Sequence, residues 1–336
     1  MSFIQPDDHM LIMNLNQYLR NKHGVCRALT SDDLARLRDV GARTVVQYAM
    51  WSALAAHGWG YLDTAVSLAR KHGLRCLIDT YNSAPAGLPK EWYAWNQDNT
   101  VSVAKSGLLT LSLWNQEAHA ALLRHINEII DRYPGGDVAV VFTGRSSGET
   151  VLAGNWFYDP AARLSHIEEV GGGPDPRSTE TLDWVHRAVV AYYTKMNGAL
   201  LHHHNQILNT MSPPALESNP YGGLGAQEDL LATEYRLWPN ADRYLMQYTY
   251  WRNVKDDYKG TLDRWRNEYD LQLIVEADHC VGLPTTAPQA IAAGFRGQLV
   301  APVHPCAQTV KLEQAHVDAI RTAIKLWNGE VPIGES

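Results

Sequence analysis

Two kinds of hydrophobic pattern alternate along the whole chain. Short apolar runs rich in β-branched residues predict strands at Met10–Asn14, Thr44–Met50, Leu74–Thr80, Val138–Thr143, Gln206–Met211, Tyr244–Thr249, Leu271–Glu276 and Gln298–Val303. Runs such as Val138 to Phe142, with no polar alternation, are those of strands buried on both faces, as in a parallel sheet. Between them the apolar period lengthens to that of a helix. Ser31, Asp32 and Asp33 predict the cap of a helix that places Leu34, Leu37 and Val40 on one face and stops at Gly41. Tyr61–His72 turns Leu62, Ala65, Val66 and Ala69 inward and ends at Gly73. Asn115–Tyr133 spaces Ala118, Leu122, Ile126, Ile129 and Tyr133 along one stripe and is broken by Pro134, Gly135 and Gly136. Thr181–Leu201 and Leu312–Trp327 are further long helical patterns.

Eight strands alternating with helices predict an α/β fold, a (β/α)8 TIM barrel in which residues 1–336 form a single domain. An open doubly wound sheet would carry a glycine fingerprint after its first strand, and this chain has none. The stretches from Gly171 to Pro176 and from Ser212 to Gly225 are long for connections between a strand and its helix, which makes them candidate site walls.

In such a barrel, residues just past the strand ends converge on one mouth. Two glutamates occupy such positions, Glu149 after the Val138–Thr143 strand and Glu276 at the end of the Leu271–Glu276 strand. A carboxylate ending a buried strand is costly unless it is paired or functional. Two of them form the constellation that glycosidic cleavage requires, an acid and a nucleophile or base. For Glu149 the competing reading is a helix cap, and for Glu276 an ion pair with Arg145 or Arg252. Further polar and aromatic residues follow strand ends. Trp51 and Trp59 come after the second strand, Asp79, Tyr81 and Asn82 at the third, Arg145 and Trp156 after the fourth, Tyr248, Tyr250 and Trp251 at the sixth, Asp278 and His279 after the seventh and His304 after the eighth. Of these, Trp51, Trp59, Tyr81, Asn82, Arg145, Trp156, Tyr248, Tyr250, Trp251 and His304 are the candidate substrate-binding residues.

Composition narrows the partners. A net charge of −7 argues against nucleic acid or an anionic membrane, both of which attract basic faces. Tryptophan (11) and tyrosine (16) far outnumber phenylalanine (4), a bias toward aromatics that carry a polar handle and suit wet, concave sites such as those that stack sugar rings. His202, His203 and His204 are consecutive and point in different directions on a helix, so they do not form a metal site; neither metal nor cofactor is expected. Cys26, Cys76, Cys280 and Cys306 are widely spread, the N-terminus lacks the features of a secretory signal, and no apolar run is long enough to span a bilayer. The expectation is a cytoplasmic chain with reduced thiols. Oligomeric state is not legible.

The segment Leu62–Asp79, the Pro85–Tyr93 stretch with its prolines and Trp92, and the helix that leads through Pro134 into the strand before Glu149 resemble, in that order, TIM-barrel β-galactosidases of the glycosidase clan with paired strand-four and strand-seven glutamates. The likeness covers roughly residues 40–160, and Glu276 fits the strand-seven position. It implies a glycoside hydrolase in which Glu149 is the acid and Glu276 the nucleophile. The chain departs from that clan in having Gly148 where an asparagine precedes the acid; Gly148-Glu149 is similar to the inverting β-amylases. Strand two offers Gln47 and Tyr48 in place of an arginine, and strand eight ends in Val303-His304 where tryptophan is common. A retaining glycosidase is the first reading; an inverting one, a barrel that binds carbohydrate without cleaving it, and a metal-dependent sugar isomerase or lyase stay open.

Overall fold

In a computed structural model the described residues are 3–15, 20–21, 24–25, 27–81, 84–103, 109–144, 155–211, 224–250, 256–277, 280–303 and 311–333. Eight parallel strands form a nearly closed barrel: β1 Met10–Asn14, β2 Thr44–Tyr48, β3 Arg75–Tyr81, β4 Val138–Gly144, β5 Gln206–Met211, β6 Asp242–Tyr250, β7 Leu271–Glu276 and β8 Gly297–Val300. Their order around the sheet is β4-β3-β2-β1-β8-β7-β6-β5, so every sequence neighbour is a spatial neighbour. The remaining seam, between β4 and β5, carries no ladder. There the His204 ring, just before β5, bonds the Val140 carbonyl of β4 at 2.5 Å through Nε2. Burial holds the His204 pKa below the usual imidazole value, so the ring is neutral, in keeping with a structural role.

Ten described helices surround the strands: α1 Ser31–Asp39, α2 Trp51–His57, α3 Gly60–Lys71, α4 Gln116–Arg132, α5 Pro160–Glu169, α6 Thr179–Leu200, α7 Leu224–Leu237, α8 Asp256–Tyr269, α9 Leu283–Ala292 and α10 Gln314–Trp327. The cap expected from sequence for α1 lies one residue earlier, and side-chain caps start α4 and α6 as well. Thr30, one residue before Ser31, forms the capping box of α1 with Asp33. Asn115 accepts from the Ala118 amide at 2.9 Å to start α4. Ser178 accepts from the Thr181 amide at 3.0 Å, which starts α6 before the expected Thr181. The C-terminus of α7 is tied down by the buried Arg243 at the start of β6. Its guanidinium donates to the Glu234 carbonyl at 3.0 Å, to Ala241 O at 2.9 Å and to Trp238 O, a cation placed where the helix dipole favours one.

Strand alternation divides the core into inside and outside. Leu11, Met13, Val46, Tyr48, Leu77, Ala139, Val141, Leu208, Tyr244, Met246, Ile274 and Leu299 fill the barrel interior with Phe3 and Ile4. The intervening residues, such as Ile12, Val45, Ile78, Val140 and Phe142, face outward and pack beneath the helices. The N-terminal segment closes the bottom: Ile4 N donates to Gln206 Oε1 at 3.2 Å and Tyr244 OH donates to Ile4 O at 3.1 Å. At the same end buried Asp8 accepts from Thr44 at 2.5 Å and Arg75 at 2.8 Å. Gly297 lets β8 approach the chain before β1, since a Cβ there would lie 2.7 Å from the His9 carbonyl oxygen. With one end closed by packing, the C-terminal ends of the strands are left to form the mouth.

Candidate functional site

Glu276 is the last residue of β7, where the chain leaves the barrel wall. Ile274 belongs to the interior cluster, whereas Leu273 and Val275 belong to the outer one. Counting by two from Ile274 therefore puts Glu276 on the inward face, at the mouth. It is half-buried, and its Cα partners are Leu299 of β8 and Tyr250 of β6.

The partnership with Tyr250 depends on an irregularity. Gln247 pairs with Val275, and the next pair is Tyr250 with Glu276, so β6 carries two extra residues at its C-terminal end. A second irregularity lies at the end of β3, where Asp79 pairs with Val141 and Tyr81 with Gly144. The Thr80 hydroxyl donates to Val141 O at 2.6 Å and fixes that shift. Bulges at a barrel rim re-aim side chains and concentrate beside active sites. Both bulges here are at strand C-termini, one of them directly beside Glu276.

Asp79 is the second carboxyl on the inward face. It is fully buried, follows the interior residue Leu77 by two, and pairs with Tyr48 of β2. In sequence it reads only as one of several strand-end polar residues; counting parity from Leu77 is the signal that singles it out. β3 and β7 are four strands apart in the order around the sheet, so Asp79 and Glu276 approach the mouth from opposite sides.

The candidate aromatics separate into two groups. Tyr81 ends β3 and Tyr248 and Tyr250 end β6, so their backbones are at the rim; their side chains lie outside the described residues. Trp51, Trp59 and Trp156 are not brought there. Met50 caps α2 directly after β2, so the chain turns outward at once. Trp51 stacks on His125 of α4 with centroids 5.1 Å apart, and Trp59 lies against the same ring at 6.0 Å. Arg132 covers Trp59 at 5.0 Å and is held by Asp63 at 2.6 Å. Enclosed in this way, His125 has its pKa lowered to about 4 by desolvation. Trp156 is buried in the outer apolar cluster. Glu149, Asn82, Arg145, Trp251 and His304 lie outside the described residues, as do Asp278 and His279.

Another buried carboxyl lies behind the wall. Glu234 of α7 accepts from Asn197 Nδ2 of α6 at 2.7 Å and from Asn209 Nδ2 of β5 at 2.8 Å. Asn209 alternates with the interior residue Leu208, so the network is on the outer face of β5. Complete burial, opposed by the two amides and the Arg243 charge, pushes the Glu234 carboxyl up to about 7. Among the described residues no group of three or more histidine, cysteine, aspartate or glutamate side chains is arranged to hold a metal ion. Nor is any described helix long and apolar enough to cross a membrane.

No known family description matches the chain, and no curated protein is similar to it in sequence. Solved structures are similar in fold. An α-L-fucosidase isoenzyme 2 from Paenibacillus thiaminolyticus superposes with a TM-score of 0.55 at 12% identity over 96% of this chain and 49% of that one. A GH36 α-galactosidase from Geobacillus stearothermophilus, in complex with stachyose, gives 0.51 at 13% identity over 96% of this chain and 42% of that one. Cel5A of Thermotoga maritima, in complex with cellobiose substrate, gives 0.50 at 11% identity over 95% and 98%. This chain thus spans half or less of the length of the first two and nearly all of the third. At these identities the likeness is one of fold: the chain is a TIM barrel of the kind found in these three proteins.

Proposed function

We propose that this barrel is a glycoside hydrolase that cleaves at its mouth, with Glu276 as nucleophile and Glu149 as general acid. The observation that carries the reading is the position of Glu276: inward, half-buried, at the C-terminal end of β7 and beside the β6 bulge. The three barrels similar in fold give it context, since two carry glycosidase names and two hold sugars.

In this mechanism Glu149 protonates the glycosidic oxygen as the bond to the anomeric carbon breaks. Glu276 attacks that carbon and forms a glycosyl ester. Water, deprotonated by Glu149, then releases the sugar and restores both carboxyls. Tyr81, Asn82, Arg145, Tyr248, Tyr250, Trp251 and His304 are the proposed substrate contacts. Trp51, Trp59 and Trp156, held in the outer layer, support the rim from behind. In the inverting variant Glu276 is instead the base that activates water. Carboxyl separation distinguishes the two, about 5–5.5 Å for retention and about 6.5–9.5 Å for inversion.

A second assignment of the acid is favoured by one observation: Asp79 is an inward, fully buried carboxyl across the ring from Glu276. Its place on the inward face, four strands from Glu276, is the geometry an acid facing a nucleophile across the mouth requires. Glu149→Gln and Asp79→Asn decide between them. Replacing the true acid abolishes the basic limb of the pH–rate profile and spares activated aryl glycosides, which need little protonation. A variant that affects activated and natural substrates equally and keeps the basic limb has not lost the acid.

A further inference from the structure

The outer side of the barrel carries a cleft of about 460 Å3 between the start of α4, α5 and α6. That volume is within the range of small-molecule pockets, about 300–1,000 Å3. Its wall is aromatic. Trp114 stacks on Trp184 with ring centroids 4.3 Å apart and planes 16° from parallel. Trp184 is fully buried and fixed by donating from Nε1 to Ser165 Oγ at 3.0 Å. Trp114, half-buried, is the more exposed ring of this pair, and its backbone amide is held by Ser112 Oγ at 3.1 Å. Tyr192 continues the wall and meets the outward-facing Phe142 of β4 edge-on at 5.8 Å. β4 therefore separates this cleft from the barrel interior.

The rim is charged, and each of its two cations holds a polar partner. Arg187 lies 3.6 Å from Glu169, and Lys195 donates to Gln116 Oε1 at 2.8 Å. An acyl chain would require a rim without charge, and an anion would compete with the partners already held, the Glu169 carboxylate by Arg187 and the Gln116 amide oxygen by Lys195. A preorganised aromatic face bordered by both donors and acceptors matches a neutral ring that is apolar on its faces and hydroxylated around its edge.

We infer that the cleft formed by Trp114, Tyr192, Gln116, Glu169, Arg187 and Lys195 is a second carbohydrate-binding site, separate from the mouth, that stacks a neutral sugar ring on Trp114. The inference rests on the glycosidase reading only in taking sugars to be this chain's ligands. A site on the flank would hold a polymeric substrate near the mouth and raise its effective concentration there.

Calorimetric titration tests this with cellotetraose, xylotetraose, maltotetraose and galactotetraose, using Glu276→Gln protein so that the ligand is not consumed. For at least one oligosaccharide, adding Trp114→Ala removes one binding site per chain or weakens it about tenfold, the worth of one stacked ring. The exposed rim pair Gln116→Ala/Lys195→Ala weakens the same site while leaving the melting temperature unchanged, and it decides the matter if Trp114→Ala does not fold. Binding by none of the four sugars, or binding indifferent to both variants, overturns the inference. So does a preference of the Trp114 site for indole over every sugar. Hydrolysis of aryl glycosides by the unmodified chain is scored separately. Trp114-dependent binding without hydrolysis keeps the cleft and removes the glycosidase reading, whereas hydrolysis with Trp114-indifferent binding does the reverse.

Discussion

Glu234 makes the fold's stability depend on pH in a direction opposite to that of an ordinary carboxylate. Its native pKa, about 7, is above the ordinary value of 4.5, so the native state holds the proton more tightly than the unfolded chain. The stabilisation is therefore complete below pH 4.5 and is lost as pH rises through 7. Each pH unit in that window is worth about 1.4 kcal/mol, and the whole interval sums to roughly 3 kcal/mol. Glu234→Gln removes the titration while keeping the shape of the side chain. Its amide replaces one acceptor facing Asn197 or Asn209, so the variant is less stable at every pH. The diagnostic is the slope. Urea midpoints measured from pH 5 to 7.5 give a stability difference between parent and variant that shrinks by roughly 2 kcal/mol as pH rises. Histidines that titrate in the same range act equally on both proteins and cancel. A difference that stays constant with pH refutes the assignment of a protonated native carboxyl.

His125 behaves in the opposite sense. With its native pKa lowered to about 4, its contribution is present above pH 6.5 and is lost as pH falls toward 4; the C2 proton titrates below pH 5 by NMR, and a midpoint near 6.5 contradicts the closed Trp51–Trp59 cage. Gly297→Ala forces a methyl group against the His9 carbonyl and costs about 1–3 kcal/mol, read from the urea midpoint; an unchanged midpoint means that β8 and the chain before β1 are not so close. Ile274→Ala empties part of the barrel interior and lowers stability by about 2–5 kcal/mol, whereas a loss below 1 kcal/mol would mean that the interior is not packed around it.

Much of the fold is legible in the sequence because its strands are buried on both faces. An unbroken β-branched run such as Val138 to Phe142 has no alternative use, and β5 and β7 occupy the expected Gln206–Met211 and Leu271–Glu276 spans. Strand ends are less legible where bulges lie. β6 runs two residues earlier and one later than Tyr244–Thr249, and β4 one residue past Thr143 to Gly144, since extra residues in a ladder leave no hydrophobic signature. β8 ends at Val300 although the apolar run continues to Val303. Within the site, Glu276 is legible because a charge at the end of an apolar run stands out. Asp79 requires parity counting. Trp51 begins α2 and Trp59 caps α3, and both rings meet His125, a tertiary contact with no local signal.

The central claim is tested most directly by the rate of Glu276→Gln on the best substrate found in a panel of nitrophenyl glycosides. The account predicts that the parent chain hydrolyses at least one of them and that Glu276→Gln lowers kcat/KM by about a thousandfold or more, with the melting temperature unchanged. Hydrolysis that survives Glu276→Gln, or a parent chain that cleaves none of the panel, contradicts it.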